Sequence, residues 1–370
     1  MPLSKPSLLL VASALLCACS HQASVSDHTD RNPSACEGKD SLRMVDYFKP
    51  MPLGNQSDKV WGAEGVLPRD IDNGLESAQA QPAWNYWDGK IIKGPEGKYH
   101  LFASRWSGDL THYDWSKSIA VHAIGDSPKG PYQNPQPFFS DRDGLGHNIT
   151  GGVLPDGRYY VVASDAGRAG DVFISDTIDG EFELQGTVTM EANGQSLEHA
   201  GANVSIIVRP DDTFMLVSRP GIVMLSDDIM GPYVAQGPSI WPTIEGYDNS
   251  KAEDPIVWYS GGLYHITLNW WDIRKARHLV SRNGIDNWVD TGIAYDPRLG
   301  FEYTDGSKNT WSLLERPGVL VENGHVTHFT FSALDVNKWD DMGNDAHGSK
   351  VLVVPFDGKC FDRALDAALP

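Results

Sequence analysis

Apolar residues recur along this chain in short runs that alternate with polar turns, and the runs come in pairs. Ile91-Ile92 and Leu101-Phe102 flank Pro-Glu-Gly-Lys-Tyr at 95–99, and Val153-Leu154 and Val161-Val162 flank Pro-Asp-Gly-Arg-Tyr at 155–159. The same arrangement surrounds turns at 210–214, 260–264 and 322–326. Runs of this length, bounded by Gly, Pro, Asp and Asn, read as antiparallel strand pairs. A second marker, a polar turn closed by an aromatic residue, follows four of the pairs at 126–132, 176–182, 227–233 and 283–288. A third strand precedes each marker, as at 119–124 and 171–175. A period of about 50–60 residues carrying three or four strands is the repeat of a β-propeller blade. Five periods predict an all-β, five-bladed β-propeller with its repeats between residues 84 and 356.

Outside the repeats the pattern is less regular. Residues 45–48 read as a strand that completes blade five, because a propeller must join its first and last blades to remove sheet edges. Residues 68–81 read as loop or short helix, and a short polar tail follows residue 356. At the start, Lys5 precedes an apolar run over residues 8–16, too short to span a bilayer and of signal-peptide length. Leu16-Cys17-Ala18-Cys19-Ser20 resembles the bacterial lipoprotein signal, which implies cleavage after residue 18 and lipidation of Cys19. Ser20 after it favours the outer membrane, so the expected location is exported and lipid-anchored, periplasmic or on the cell surface. The expected organisation is therefore a signal peptide over residues 1–19, a polar tether over 20–43 and the propeller over 44–360.

Export changes the reading of the remaining cysteines. In an oxidising compartment a bond between Cys36 and Cys360 would tie the two ends of the mature chain together. The net charge of −19 excludes a nucleic-acid surface, since a phosphate backbone would be repelled.

The inner strand of each blade starts at the central funnel, so residues at those starts converge. Here they are Trp87-Asp88, His147-Asn148, Asn203, Glu253-Asp254 and Glu315-Arg316. Acids and amides are uncommon inside strands. Gathered at one funnel beside Trp and Tyr, they make a sugar site.

A five-bladed propeller with an Asp opening blade one resembles the superfamily of glycoside hydrolase family 43, over residues 84–356. The resemblance implies hydrolysis of glycosidic bonds in a plant or algal polysaccharide or oligosaccharide, with inversion. It gives Asp88, in Asp-Gly-Lys-Ile-Ile-Lys, the role of general base. It gives Glu253, in Glu-Asp-Pro, that of general acid. The third family carboxylate is replaced by Asn203, so another group must raise the pKa of the acid. Asp254 would need a strand bend to share the funnel with its neighbour, and Glu315 is a second candidate. Trp87, His147, Asn148, Asn203, Arg316 and Trp270 are expected to bind substrate, with Trp84, Trp106 and Trp271 as further sugar platforms.

The scattered histidines lack zinc-site spacing, so no cofactor is expected beyond a calcium ion held in the funnel. Arg105, Arg209 and Arg219, with Arg316, either clamp a uronate carboxylate or pair between blades. The acidic segment 335–345 is a rim loop over the funnel or a weak cation site. Two alternatives stay open: a polysaccharide lyase using His147 with Arg316, and a glycan-binding propeller without catalysis.

Overall fold

A computed structural model describes residues 36–56, 70–76, 83–165, 170–197, 202–343 and 347–370. The signal segment, Cys19 and most of the tether lie outside them, as does much of the stretch read as loop or short helix. The repeats fold as five antiparallel blades. Blade one is β1 (Trp84–Lys93), β2 (Tyr99–Ser107), β3 (Ile119–Gly125) and β4 (Gln133–Pro137). Blade two is β5 (His147–Val153), β6 (Tyr159–Asp165), β7 (Asp171–Ser175) and β8 (Glu183–Thr187).

Blade three is built on β11 (Ser205–Val208), β12 (Phe214–Val217), β13 (Val223–Ser226) and β14 (Tyr233–Ala235). A hairpin of β9 (Met190–Ala192) and β10 (Gln195–Leu197) widens it to six strands, β9 running parallel to β14. Blade four is β15 (Ala252–Ser260), β16 (Leu263–Trp270), β17 (Lys275–Ser281) and β18 (Val289–Tyr295). A two-stranded ribbon, β19 (Phe301–Glu302) and β20 (Lys308–Asn309), leads into blade five: β21 (Leu313–Glu322), β22 (His325–Leu334) and β23 (Ser349–Pro355).

The apolar alternation along each strand buries side chains between neighbouring blades rather than in one central core. Ile92, Phe102 and Phe138 of blade one meet Ile149, Val161 and Phe173 of blade two. Tyr86, Ile91 and Leu101 meet Leu320, Val351 and Val353 of blade five, which closes the ring. Aromatic rings fill the seam between blades four and five, where Trp258 packs edge-on to Phe329 and Tyr295 to Phe331.

Two expectations at the closure change. Met44–Tyr47 is one turn of 3₁₀ helix, not a strand. Arg43 reaches Asp46 with two hydrogen bonds of 3.0 and 2.8 Å, and that local ion pair fits a turn better than an extended chain. Phe48 then makes a single bridge to Phe356, and Leu75 one to Val351, so blade five is closed by isolated bridges. The tail past residue 356, read only as short and polar, is α1 (Gly358–Ala368). Phe361, Ala364 and Leu365 recur at helical spacing and are buried. Cys36 and Cys360 are both disulfide-bonded and buried.

Blades one and five also meet tightly at the axis. A Cβ placed on Gly318 would lie 1.8 Å from the carbonyl oxygen of Gly89, so only glycine lets the two inner strands approach. Gly318→Ala is expected to lower unfolding stability by about 3 kcal/mol, read from the urea midpoint at unchanged slope. A shift below about 0.5 kcal/mol would show that the seam gives way freely.

Candidate active site

The five strand starts do converge, through a shared backbone device. Asp88, Asn148, Asn203, Asp254 and Arg316, one per blade, all have positive φ, between 46° and 67°. Asp and Asn enter this left-handed region more readily than most residues. For Arg316, and for Asp254 ahead of Pro255, it is a strained conformation that surrounding contacts must hold. The β1–β2, β15–β16 and β21–β22 ladders each lose register at this point. The bulge supplies the bend that Glu253 and Asp254 need to serve the axis from one strand, and it works equally for Trp87-Asp88 and Glu315-Arg316.

The left-handed residues form a buried ring. Arg316 stands between two carboxylates, with Nε 3.6 Å from Asp88 Oδ1 and Nη1 3.4 Å from Asp254 Oδ1. Asn203 Nδ2 donates to Asp254 Oδ1. Asp88 Oδ2 accepts from the Ile149 N–H at 3.0 Å and from the Ser104 hydroxyl. Asp88 is 1% exposed and Arg316 2%. Burial raises the pKa of both aspartates, most strongly at Asp254, against the opposing pull of the guanidinium. The ring does not fit the calcium ion allowed for the funnel, because the Arg316 cation already faces both carboxylates. Among the described residues no group of three or more His, Cys, Asp and Glu is placed to hold a metal.

Above the ring lies an open pocket of about 510 Å³. Its acids are Glu253, Glu315 and Asp272, and its cations are Arg219, Arg274 and Lys338. Burial, then the charge of Glu315, raises the Glu253 pKa, while Lys338, Arg219 and Arg316 oppose the rise. Lys338 Nζ lies 2.6 Å from Glu315 Oε2. Burial works against the Lys338 ammonium, but Glu315 and Glu253 outweigh it and keep its pKa above the ordinary lysine value. Exposed aromatic rings edge the pocket: Trp339 is 73% exposed and stands 4.4 Å from Tyr113, while Trp271 lies under the Lys251 ammonium.

The sequence candidates therefore separate into levels. Glu253 and Glu315 line the pocket; Asp88, Asp254, Asn148, Asn203 and Arg316 belong to the ring, and none of them lines it. Trp87 is buried against Trp106 and His112 beneath the pocket. His147 is buried too, its Nδ1 3.0 Å from Ser118 Oγ and its ring stacked on Trp115. Burial holds its pKa well below the usual histidine value.

Trp271 lines the pocket, whereas Trp270 does not. Of the arginines weighed for a carboxylate clamp, Arg219 lines it; Arg105 covers the Trp84 ring and Arg209 the Tyr264 ring. Asn337, Lys338 and Trp339 make the segment after residue 335 a rim loop, as one of its two readings had it. Lys338, Trp339, Tyr113 and Arg274 were not singled out from sequence, since they lie in loops between blade strands that carry neither of the repeated turn markers.

No family model matches the chain, and no curated protein matches it by sequence. Among solved structures, one described as a glycoside hydrolase superposes on 77% of this chain with TM-score 0.53 and 14% identity; the match spans 61% of that longer protein. A β-xylosidase/α-arabinofuranosidase of glycoside hydrolase family 43 from a compost microbial metagenome, in complex with xylotriose, covers 78% of this chain and 95% of its own, with TM-score 0.48 and 13% identity. An exo-β-1,3-galactanase from Phanerochaete chrysosporium with β-1,3-galactotriose covers 77% and 64%, with TM-score 0.48 and 12% identity. The likeness is one of fold, a five-bladed propeller.

Proposed function

We infer that this chain is a glycoside hydrolase acting in the pocket above the ring, with Glu253 as general acid and Glu315 as the base that activates water. One observation carries the reading. The glutamates that open the inner strands of blades four and five face a single pocket in unlike surroundings. Glu253 is pushed toward its protonated form by burial and by Glu315, whereas Glu315 has a lysine ammonium at 2.6 Å. Glycoside hydrolysis needs this division: one carboxyl gives a proton to the leaving oxygen, and the other, ionised, takes one from water. Attack by water on the face opposite the leaving group inverts the anomeric centre.

Asp88, the base implied by the family resemblance, has little access to a substrate from the ring. There its charge holds Arg316, so in this reading it positions the pocket floor. The pocket aromatics Tyr113, Trp271 and Trp339 offer faces for sugars of a plant or algal polysaccharide or oligosaccharide. The lyase alternative loses support because His147 and Arg316 are both buried beneath the pocket. The lipoprotein-type start supports export and tethering through Cys19, which incorporation of labelled palmitate into the wild type but not Cys19→Ala tests.

The enzyme reading is tested on a panel of plant and algal polysaccharides, following reducing-sugar release together with the ultraviolet absorbance of unsaturated products. Release without absorbance, with inverted configuration in the first-formed product by NMR, is expected. Absorbance, or binding with no release on any substrate, overturns it.

The pH profile carries a further expectation. Acid catalysis requires protonated Glu253, so kcat/KM falls as pH rises through the Glu253 pKa. The Lys338 charge pulls that pKa down. Lys338→Met is therefore expected to move the alkaline limb to higher pH while lowering the maximum rate. An alkaline limb that stays in place would separate Lys338 from the acid.

A further inference from the structure

Arg219 and Arg274 are fixed in the pocket by neutral acceptors. Arg219 follows β12, and its Nε donates to the Ala252 carbonyl at 3.0 Å. Its own carbonyl accepts from Trp241 Nε1 at 2.9 Å, so backbone and side chain are both pinned. Arg274 sits in the turn between β16 and β17 with φ 56°, and its Nη1 donates to Ser312 O at 3.0 Å and Ser312 Oγ at 2.7 Å. Each arginine thus leaves one blade and anchors on the next segment round the ring.

Among the described residues neither has a carboxylate within 4 Å, whereas Arg142, Arg277, Arg282 and Arg298 each pair with an aspartate. Two arginines without such a partner, in one pocket of a chain of net charge −19, are a departure that folding alone does not require. The third pocket acid, Asp272, has Lys251 3.6 Å away to balance it.

We propose that the sugar bound beside Glu253 carries a carboxylate, a hexuronate residue, received by the guanidinium groups of Arg219 and Arg274. This deepens the hydrolase reading and rests on it for the identity of the ligand as a glycan. A planar guanidinium matches a carboxylate through paired N–H donors, a fit that a lysine ammonium does not reproduce. Both side chains reach the pocket already held by backbone or hydroxyl acceptors, so little freedom is lost when an anion arrives. The aromatic rim takes the sugar faces while the arginine side takes the charge.

The test is calorimetric binding of hexuronate oligosaccharides, of the same oligosaccharides with their carboxyls reduced to alcohols, and of a sulfated neutral oligosaccharide. The wild type, Arg219→Met, Arg274→Met and Arg274→Lys are compared, with circular dichroism to check the fold. The wild type is expected to bind the uronate form about 10- to 100-fold more tightly than the reduced form. Each Met variant is expected to remove most of that preference. Arg274→Lys, which keeps the charge and loses the fork, is expected to restore only part.

Equal binding of the uronate and reduced forms, or a preference that survives both Met variants, overturns the assignment. So does a sulfated sugar that binds as tightly as the uronate. The two readings fail separately. Uronate-selective binding without release of any sugar would remove the hydrolase and keep the arginine site. Hydrolysis of neutral glycans unaffected by either arginine would do the reverse.

Discussion

Glu253→Gln and Glu315→Gln are each expected to lower kcat/KM by about 10²–10⁴-fold, the usual contribution of general acid–base catalysis. Each substitution keeps side-chain shape and removes only the ability to give or take the proton, so substrate affinity should persist. Two groups acting on one bond work as a unit, and the double variant should be little worse than either single one. The comparison that decides between the pocket and the ring is Asp88→Asn. If Asp88 holds Arg316 and does not itself accept a proton, Asp88→Asn should cost less activity than Glu315→Gln and more stability. An Asp88→Asn variant as inactive as Glu315→Gln, yet as stable as wild type, would return the base role to Asp88.

Loss of the ring cation is the largest stability change expected. Arg316→Met leaves Asp88 and Asp254 buried without the charge that faces them, and removing one partner of a buried ionic cluster costs about 3–5 kcal/mol. Denaturant titration should show it as a lowered midpoint. Part of the loss should be recovered when both acids are also neutralised, in Asp88→Asn/Asp254→Asn/Arg316→Met, because replacing a whole buried cluster is far less costly than breaking it. The left-handed backbone at three bulges adds to this, since those conformations persist only while the ring holds them. A loss below about 1 kcal/mol for Arg316→Met, the value of an exposed pair, would mean that water reaches the ring.

The blades were legible in the sequence because their signal is local and repeated. A turn such as Pro95-Glu96-Gly97 brings adjacent strands together, and β7 spans the residues 171–175 read from the pattern. The closure was harder to read. The 3₁₀ turn at Met44–Tyr47 follows from one ion pair between Arg43 and Asp46, which competes with the apolar alternation that suggests a strand. Helix α1 has apolar spacing that is plain once Phe361, Ala364 and Leu365 are aligned, but in so short a segment it stands beside a strong strand and is easily passed over.

What the sequence determined by itself is the number of blades, their order and the five positions that meet at the axis, because strand period and turn chemistry are properties of neighbouring residues. It also placed Glu253 and Glu315 at adjacent strand starts. It did not determine which member of each pair faces which way. A side chain on a regular strand alternates by rule, but one residue with positive φ and a bulge redirects its neighbour, and Asp254 and Glu253 are divided between ring and pocket on that account. Only the tertiary structure brought Lys338 to Glu315 across 23 positions of chain, and Arg219 and Arg274 into the same pocket. Charges act through space, so the environment that separates an acid from a base exists only once the ring has closed.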